Sequence, residues 1–267
     1  MKEKMKAVRY VLLVSIMVGL LGLSACRPSG ATQRMESFLL TGYDPYIGLV
    51  RESPNANPNV YWLCSDNYLA SLALEKAEPK IAEAITQSIA IYQAIGQIGP
   101  LAKWKVLSGE VVPEAVFAMD VKKPTIITIE GNEVRSEVTD SARPMLWKEY
   151  ADLLLLASIN AFNRGDIVEA RNLFGNVTFD GTGLTDAANK QGNYSTYKLA
   201  LYLIAAEKVG IDIPAKKEIM NRILSLQEND PTSNRYGGVY TDYDSNGKPL
   251  TSDTNTETTS LVLLALH

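Results

Sequence analysis

The stretch Thr254-Asn255-Thr256-Glu257-Thr258-Thr259-Ser260-Leu261-Val262-Leu263-Leu264-Ala265-Leu266 runs from a polar, cap-forming passage into a segment that is apolar on every face. A helix of that kind has to be buried, and it needs amphipathic partners to cover it. The same passage occurs twice upstream. Tyr61–Ile95 leads from Tyr61-Trp62 and Asp66-Asn67 into an apolar helix, and then into a Pro79-initiated helix with Ile81, Ile85, Ile89 and Tyr92 at helical spacing. Asn193–Gln227 repeats the order, with Pro214 opening the second helix, and the Thr254 stretch starts a third copy that breaks off at His267. Apolar inner helices with amphipathic outer ones predict a mainly α fold: a partial two-layer ring of helical hairpins.

Boundary signals place helices at about 65–76, 79–95, 145–164, 167–174, 195–209, 214–227 and from 256 onward. Ser65 or Asp66 can cap the first. Between 107 and 140 the character changes. Val111-Val112, Ala115–Ala118 and Thr125–Ile129 are strand-like and Glu130-Gly131-Asn132-Glu133 signals a turn, which predicts a small β insertion. Residues 27–37 read as a tether. Residues 38–58 read as irregular backbone rich in Gly, Pro and Asn, with Tyr43, Tyr46, Ile47 and Leu49 available to pack.

The N-terminus is read separately. Lys2, Lys4, Lys6 and Arg9 precede an apolar run, Tyr10–Leu23, of 14 residues, too short to span a bilayer comfortably, and Leu23-Ser24-Ala25-Cys26 follows. This resembles a bacterial lipoprotein signal peptide ending in a lipobox. The resemblance implies cleavage before Cys26, acylation of its thiol, and a chain held by lipid on the extracytoplasmic face of the cell membrane. An uncleaved helical anchor is the competing reading. The remainder carries 22 basic against 29 acidic residues, a balance that argues against a nucleic-acid partner. Beyond Cys26 the one cysteine is Cys64, set in apolar sequence, so no internal disulfide is expected. The single histidine, His267, is the last residue, which leaves Ser-His-Asp or Cys-His catalysis and histidine-built zinc sites out of reach. Any chemistry must run on carboxylates, tyrosines, lysines or arginines, without a cofactor or metal.

Tyr236-Gly237-Gly238-Val239-Tyr240-Thr241, a polar loop, and Asn255-Thr256-Glu257-Thr258-Thr259 before an apolar helix resemble the repeat edge of α/α-toroid proteins over residues 59–100 and 145–267. That group includes prenyltransferases, terpene cyclases, thioester domains, and glycan hydrolases and lyases. Departures narrow it. A histidine for prenyltransferase zinc is missing, Asp242-Tyr243-Asp244-Ser245 is one carboxylate short of the cyclase Asp-x-Asp-Asp, and Cys-Gly-Glu-Gln is absent. The resemblance therefore implies a glycan-binding or glycan-processing toroid, with a non-catalytic envelope scaffold, which a truncated chain would also give, as the alternative; protein partners are not indicated.

In such rings the mouths of the inner helices border the cavity. The candidates there are Asp66, Asp242 and Glu257 as a carboxyl pair for glycoside hydrolysis, and Tyr240 or Tyr194 as a lyase acid or base. Trp62, Tyr61, Tyr194 and Arg235 are the expected sugar contacts. Structural readings compete. Asp66 and Asp253 suit N-caps, Glu257 can complete a capping box with Thr254, and Asp180-Gly181-Thr182-Gly183 suits a turn, or with Asp186 a calcium loop. Trp104 and Trp147 suit packing.

Overall fold

The computed structural model describes residues 30–96, 102–144, 146–189, 192–250 and 253–267; the lipobox and Cys26 lie outside them. The fold is mainly α with small sheets, and residues Ala31–His267 gather into one unit.

Helix α1 (Gly30–Gly42) occupies part of the stretch expected to be tether. It forms because Thr32, Met35, Phe38 and Leu39 recur on one face and are buried there. Two short strands follow, β1 (Tyr43–Asp44) and β2 (Leu49–Val50), paired antiparallel. Strand β3 (Val60–Trp62) runs into a π-helical turn (Leu63–Asn67), then α2 (Tyr68–Leu74) and α3 (Pro79–Gly96). The expected helix start at Ser65 is thus a widened turn, and α2 proper begins three residues later.

A 3₁₀ segment (Ala102–Ser108) precedes the β insertion. Ala115–Ala118, expected to be strand, lies in a second 3₁₀ turn (Glu114–Ala118) whose Phe117 is buried. Pro113 at its N-cap has no N–H to give a sheet ladder. The hairpin itself is β4 (Met119–Ile129) and β5 (Asn132–Pro144), joined by a turn in which Glu130 and Gly131 both have positive φ. Its register slips between Lys122 and Thr125, around the prolyl residue 124. On its other edge β5 pairs in parallel with β3, Tyr61 opposite Val134, so the insertion is stitched to the start of α2.

Helices α4 (Ala151–Asn163) and α5 (Ile167–Gly175) form the next hairpin. The short strands β6 (Thr178–Phe179), β7 (Leu184–Thr185) and β8 (Asn193–Ser195) lead to α6 (Thr196–Val209), which ends on left-handed Gly210. Then come α7 (Lys216–Ser225), β9 (Asp242–Asp244), paired with β8, and α8 (Thr256–Leu266). Helices α4, α6 and α8 bury most of their residues, on all sides, whereas α3, α5 and α7 bury a single stripe such as Ala82, Ile85, Ile89 and Tyr92 of α3. Each fully buried Leu or Ile contributes about 1.5–3 kcal/mol.

The buried helices pack in a closed circuit: α2 on α8, α8 on α6, α6 on α4, α4 on the Ala102–Ser108 turn, and that turn on α2. Helices α3, α5 and α7 pack on α2, α4 and α6 respectively. Helix α1 is tied to the C-terminal elements: Arg34 donates to Gln227 Oε1 at 2.9 Å, and His267 lies 3.7 Å from Glu36. No helix among the described residues is long and apolar enough to cross a membrane.

Candidate active site

The first turns of the buried helices carry the polar groups. The second residue of α4 is Asp152, of α6 Tyr197 and of α8 Glu257, and Asp66 sits in the π-turn just ahead of α2. These groups are within electrostatic reach of one another. Asp152 and Glu257 act on Tyr197, and Glu257 acts on Asp66. The Tyr197 hydroxyl donates to Asp152 Oδ2 at 3.4 Å.

Glu52, Trp62, Ser65, Asp66, Lys103, Trp104, Glu137, Asn255 and Glu257 line an open cleft of about 300 Å³. Several elements fix its walls. The Glu52 N–H donates to the Val60 carbonyl at 2.7 Å, and the Glu52 carbonyl accepts from Thr256 N–H at 2.9 Å, which pins the 52 segment between β3 and α8. Fully buried Asn67 accepts from Val50 N–H at 2.7 Å and donates to the Val50 and Trp62 carbonyls, holding the π-turn in place. Glu137, from β5, accepts from the N–H groups of Ser65 at 2.8 Å and Cys64 at 3.3 Å. Trp104 is a buried wall and Trp62 a half-buried one, with the Arg135 guanidinium 5.5 Å from the Trp62 ring centre.

Asp66 is 3 % exposed. Its Oδ1 accepts from Ser65 Oγ at 3.1 Å, while its Oδ2 is buried with no hydrogen-bond partner. Burial, and then the charges of Glu257, Glu52 and Glu137, hold its carboxyl well above the ordinary range. Burial pushes Glu257 up to about 7; Lys103 opposes the rise, and Glu137, Asp152 and Glu52 add to it. Glu52 is also raised, by burial first, against the Trp62 indole and Arg135. Burial thus raises Asp66, Glu257 and Glu52 together within one cleft, which favours the neutral form of each over an ordinary surface carboxyl.

The cap of α8 is Asn255, whose Oδ1 accepts from Thr258 N–H at 2.8 Å, rather than Thr254. The Asp253 carboxylate serves Ser53 at 2.6 Å and Asn55 at 3.0 Å. Of the residues expected from sequence, Asp66, Glu257 and Trp62 come together in the cleft. The others have different surroundings. Asp242, in β9, accepts from Ser195 Oγ at 2.9 Å. The Tyr240 hydroxyl donates to Glu228 at 2.6 Å, with Arg235 3.6 Å from the same carboxylate. The Tyr194 hydroxyl donates to Asp180 at 2.7 Å, and its ring stacks on Tyr243. Tyr61 is buried, donates to Asp44 at 3.2 Å, and is pushed up to about 12 by burial and Asp44.

Asp180 accepts from the N–H groups of Thr182 and Gly183, and buried Asp186 pairs with Lys198 at 2.6 Å. Among the described residues no cluster of three or more His, Cys, Asp or Glu side chains could hold a metal ion. Trp147 packs on Phe117 with ring centres 5.9 Å apart.

Glu52, Glu137, Lys103 and Asp152 were not singled out in the sequence. Asp152 was within reach, because it occupies the same second-residue position as Glu257 on an equally apolar helix. Glu52 and Glu137 reach the cleft through long-range pairings that leave no local signature. No protein-family model matches the chain, and no curated protein or solved structure matches it significantly.

Proposed function

We propose that this chain is a glycan-binding or glycan-cleaving lipoprotein whose helices form a partial α/α toroid, with the Asp66–Glu257 cleft as its working site. The observation that carries the reading is the sharing of one aromatic-walled cleft by two carboxyls whose proton affinities are raised. Glycoside hydrolysis needs one protonated and one ionised carboxyl across the scissile bond. Like charges in a shared buried setting do not both ionise cheaply, so Asp66 and Glu257 are suited to hold one proton between them near neutral pH. Glu257, partly exposed at the cleft wall, is the proposed acid. Asp66 is the proposed partner, with Glu137 anchored behind it by backbone donors. Trp62 and Trp104 offer apolar faces for the C–H surfaces of a sugar ring. The circuit of buried helices with outer partners supports the toroid, and it gives the cleft its position at the helix mouths. The basic, apolar and small-residue sequence ahead of Cys26 supports a lipid anchor and an extracytoplasmic address.

The test uses the full chain expressed in a bacterial envelope, with labelled fatty acid and a panel of polysaccharides. The expected result is acylation that Cys26→Ala removes, and release of new reducing ends that falls at least about 100-fold in Asp66→Asn and in Glu257→Gln. Asp242→Asn, outside the cleft, retains turnover. A chain that neither binds nor cleaves any glycan of the panel contradicts the reading.

A further inference from the structure

The composition of the cleft bears on which sugar it would take. Among the described residues, the charged or titratable groups that line the cleft or act on its lining are Glu52 beyond β2, Asp66 in the π-turn, Lys103 in the Ala102–Ser108 turn, Glu137 and Arg135 on β5, and Asp253 ahead of α8. Asp152 on α4, Tyr197 on α6 and Glu257 on α8 complete the set. Arg135 is committed to Glu133 at 2.6 Å and to the face of Trp62, which leaves Lys103 as the cation of the lining. Among the described residues, the lining of this cleft of about 300 Å³ sets Lys103 against four carboxyls, Glu52, Asp66, Glu137 and Glu257, with Arg135 acting on Glu52 from beside it. One oxygen there is also left over: Asp66 Oδ2, on a side chain 97 % removed from solvent, accepts from nothing. A buried acceptor without a donor is costly to the fold, and an ammonium brings three donors and a positive charge to such a place.

We infer that the ligand of this cleft carries a protonated amine, which within the glycan reading (on which the inference rests) means an amino sugar whose amine is free rather than acylated. An ammonium seated among Asp66, Glu137 and Glu257 satisfies Asp66 Oδ2 and relieves the repulsion among the carboxylates. An uncharged sugar supplies only the hydrogen bonds, and a uronate adds a further negative charge to an already negative site. The same argument disfavours lyase chemistry, which acts beside a sugar carboxylate. Binding has a thermodynamic signature. A cation stabilises the ionised forms of Asp66 and Glu257, so protons leave the protein as the ligand arrives.

Calorimetry on the full chain at about pH 6.5 and low salt, in two buffers of different ionisation enthalpy, reads that signature. The probes are a glucosamine tetramer, its fully N-acetylated form, a galacturonate tetramer and spermidine. The expected result is about tenfold tighter binding of the free-amine tetramer than of the acetylated one, with proton release that added salt weakens. Glu257→Gln and Asp66→Asn each reduce both the preference and the proton release. Equal binding of the free-amine and acetylated tetramers, or preference for galacturonate, overturns the amine inference and leaves the glycan reading standing. Spermidine binding with proton release, and no tetramer bound, keeps the cation and removes the glycan. No binding by any probe removes both.

Discussion

Glu257 shows how a single buried side chain ties the stability of the fold to pH. Burial first, against the opposing charge of Lys103 and with the carboxyls Glu137, Asp152 and Glu52 adding to it, makes the folded protein favour the protonated form up to about pH 7, against an ordinary value of 4.5. A carboxyl with a raised folded-state affinity stabilises the fold fully below its unfolded value. That contribution fades as pH rises from about 4.5 to 7 and is gone above. Asp66 acts in the same direction. Glu257→Gln is always neutral, so its melting temperature exceeds that of the parent chain by about 7–14 °C at about pH 8, where the parent carries the buried charge. The two coincide near about pH 4. Calorimetric scans across the range measure this. A variant less stable at every pH shows instead that Glu257 is a packing or capping group. Carboxyls of a working site are expected to trade stability for chemistry in this way.

At the scale of elements, the long helices were legible because their signals are local. Pro79 opens α3, Asp166 caps α5 by accepting from Glu169 N–H at 3.0 Å, left-handed Gly210 ends α6, and Leu261–Leu263 mark α8 as buried. The elements that were misread depend on remote partners. Strand β3 exists because β5 pairs with it some seventy residues later, and the π-turn exists because Asn67 bridges Val50 and Trp62. Helix α1 was hidden by its small, polar opening residues, although Met35, Phe38 and Leu39 carry its buried face.

The Gly237-Gly238 pair, noted in the sequence as a repeat edge, has a definite job. Gly237 has φ +89°, and a Cβ there would strike the Arg34 carbonyl, while one on Gly238 would meet Thr254 and Phe38 at 2.6–2.7 Å. The loop therefore lies directly on α1. Gly237→Ala destabilises the chain by about 2–3 kcal/mol in chemical denaturation, from strained backbone plus the displaced helix. An unchanged midpoint contradicts that close docking.

For the molecule as a whole, the mainly α character was readable from the repeat of polar passage and apolar helix, and Asp66, Glu257 and Trp62 were readable as residues near the starts of those helices. Their convergence was not, because it depends on which helices neighbour one another. Asp242, Tyr240, Arg235 and Tyr194 sit at mouths or loops of the same type, and in the fold they serve Ser195, Glu228 and Asp180 instead. Glu137 joins the acidic set because the β insertion pairs with β3 at the start of α2, and Glu52 because its backbone is pinned between Val60 and Thr256. The central claim is that these scattered carboxyls form one electrostatically coupled group. Site-resolved NMR titration of the side-chain carboxyl carbons, in the parent chain and in Glu257→Gln, tests it most directly. The account predicts a Glu257 midpoint of about 7, an Asp66 midpoint well above the ordinary aspartate range, and a fall in the Asp66 midpoint when Glu257 is neutralised. Ordinary midpoints for both residues, with Asp66 indifferent to the substitution, would contradict it.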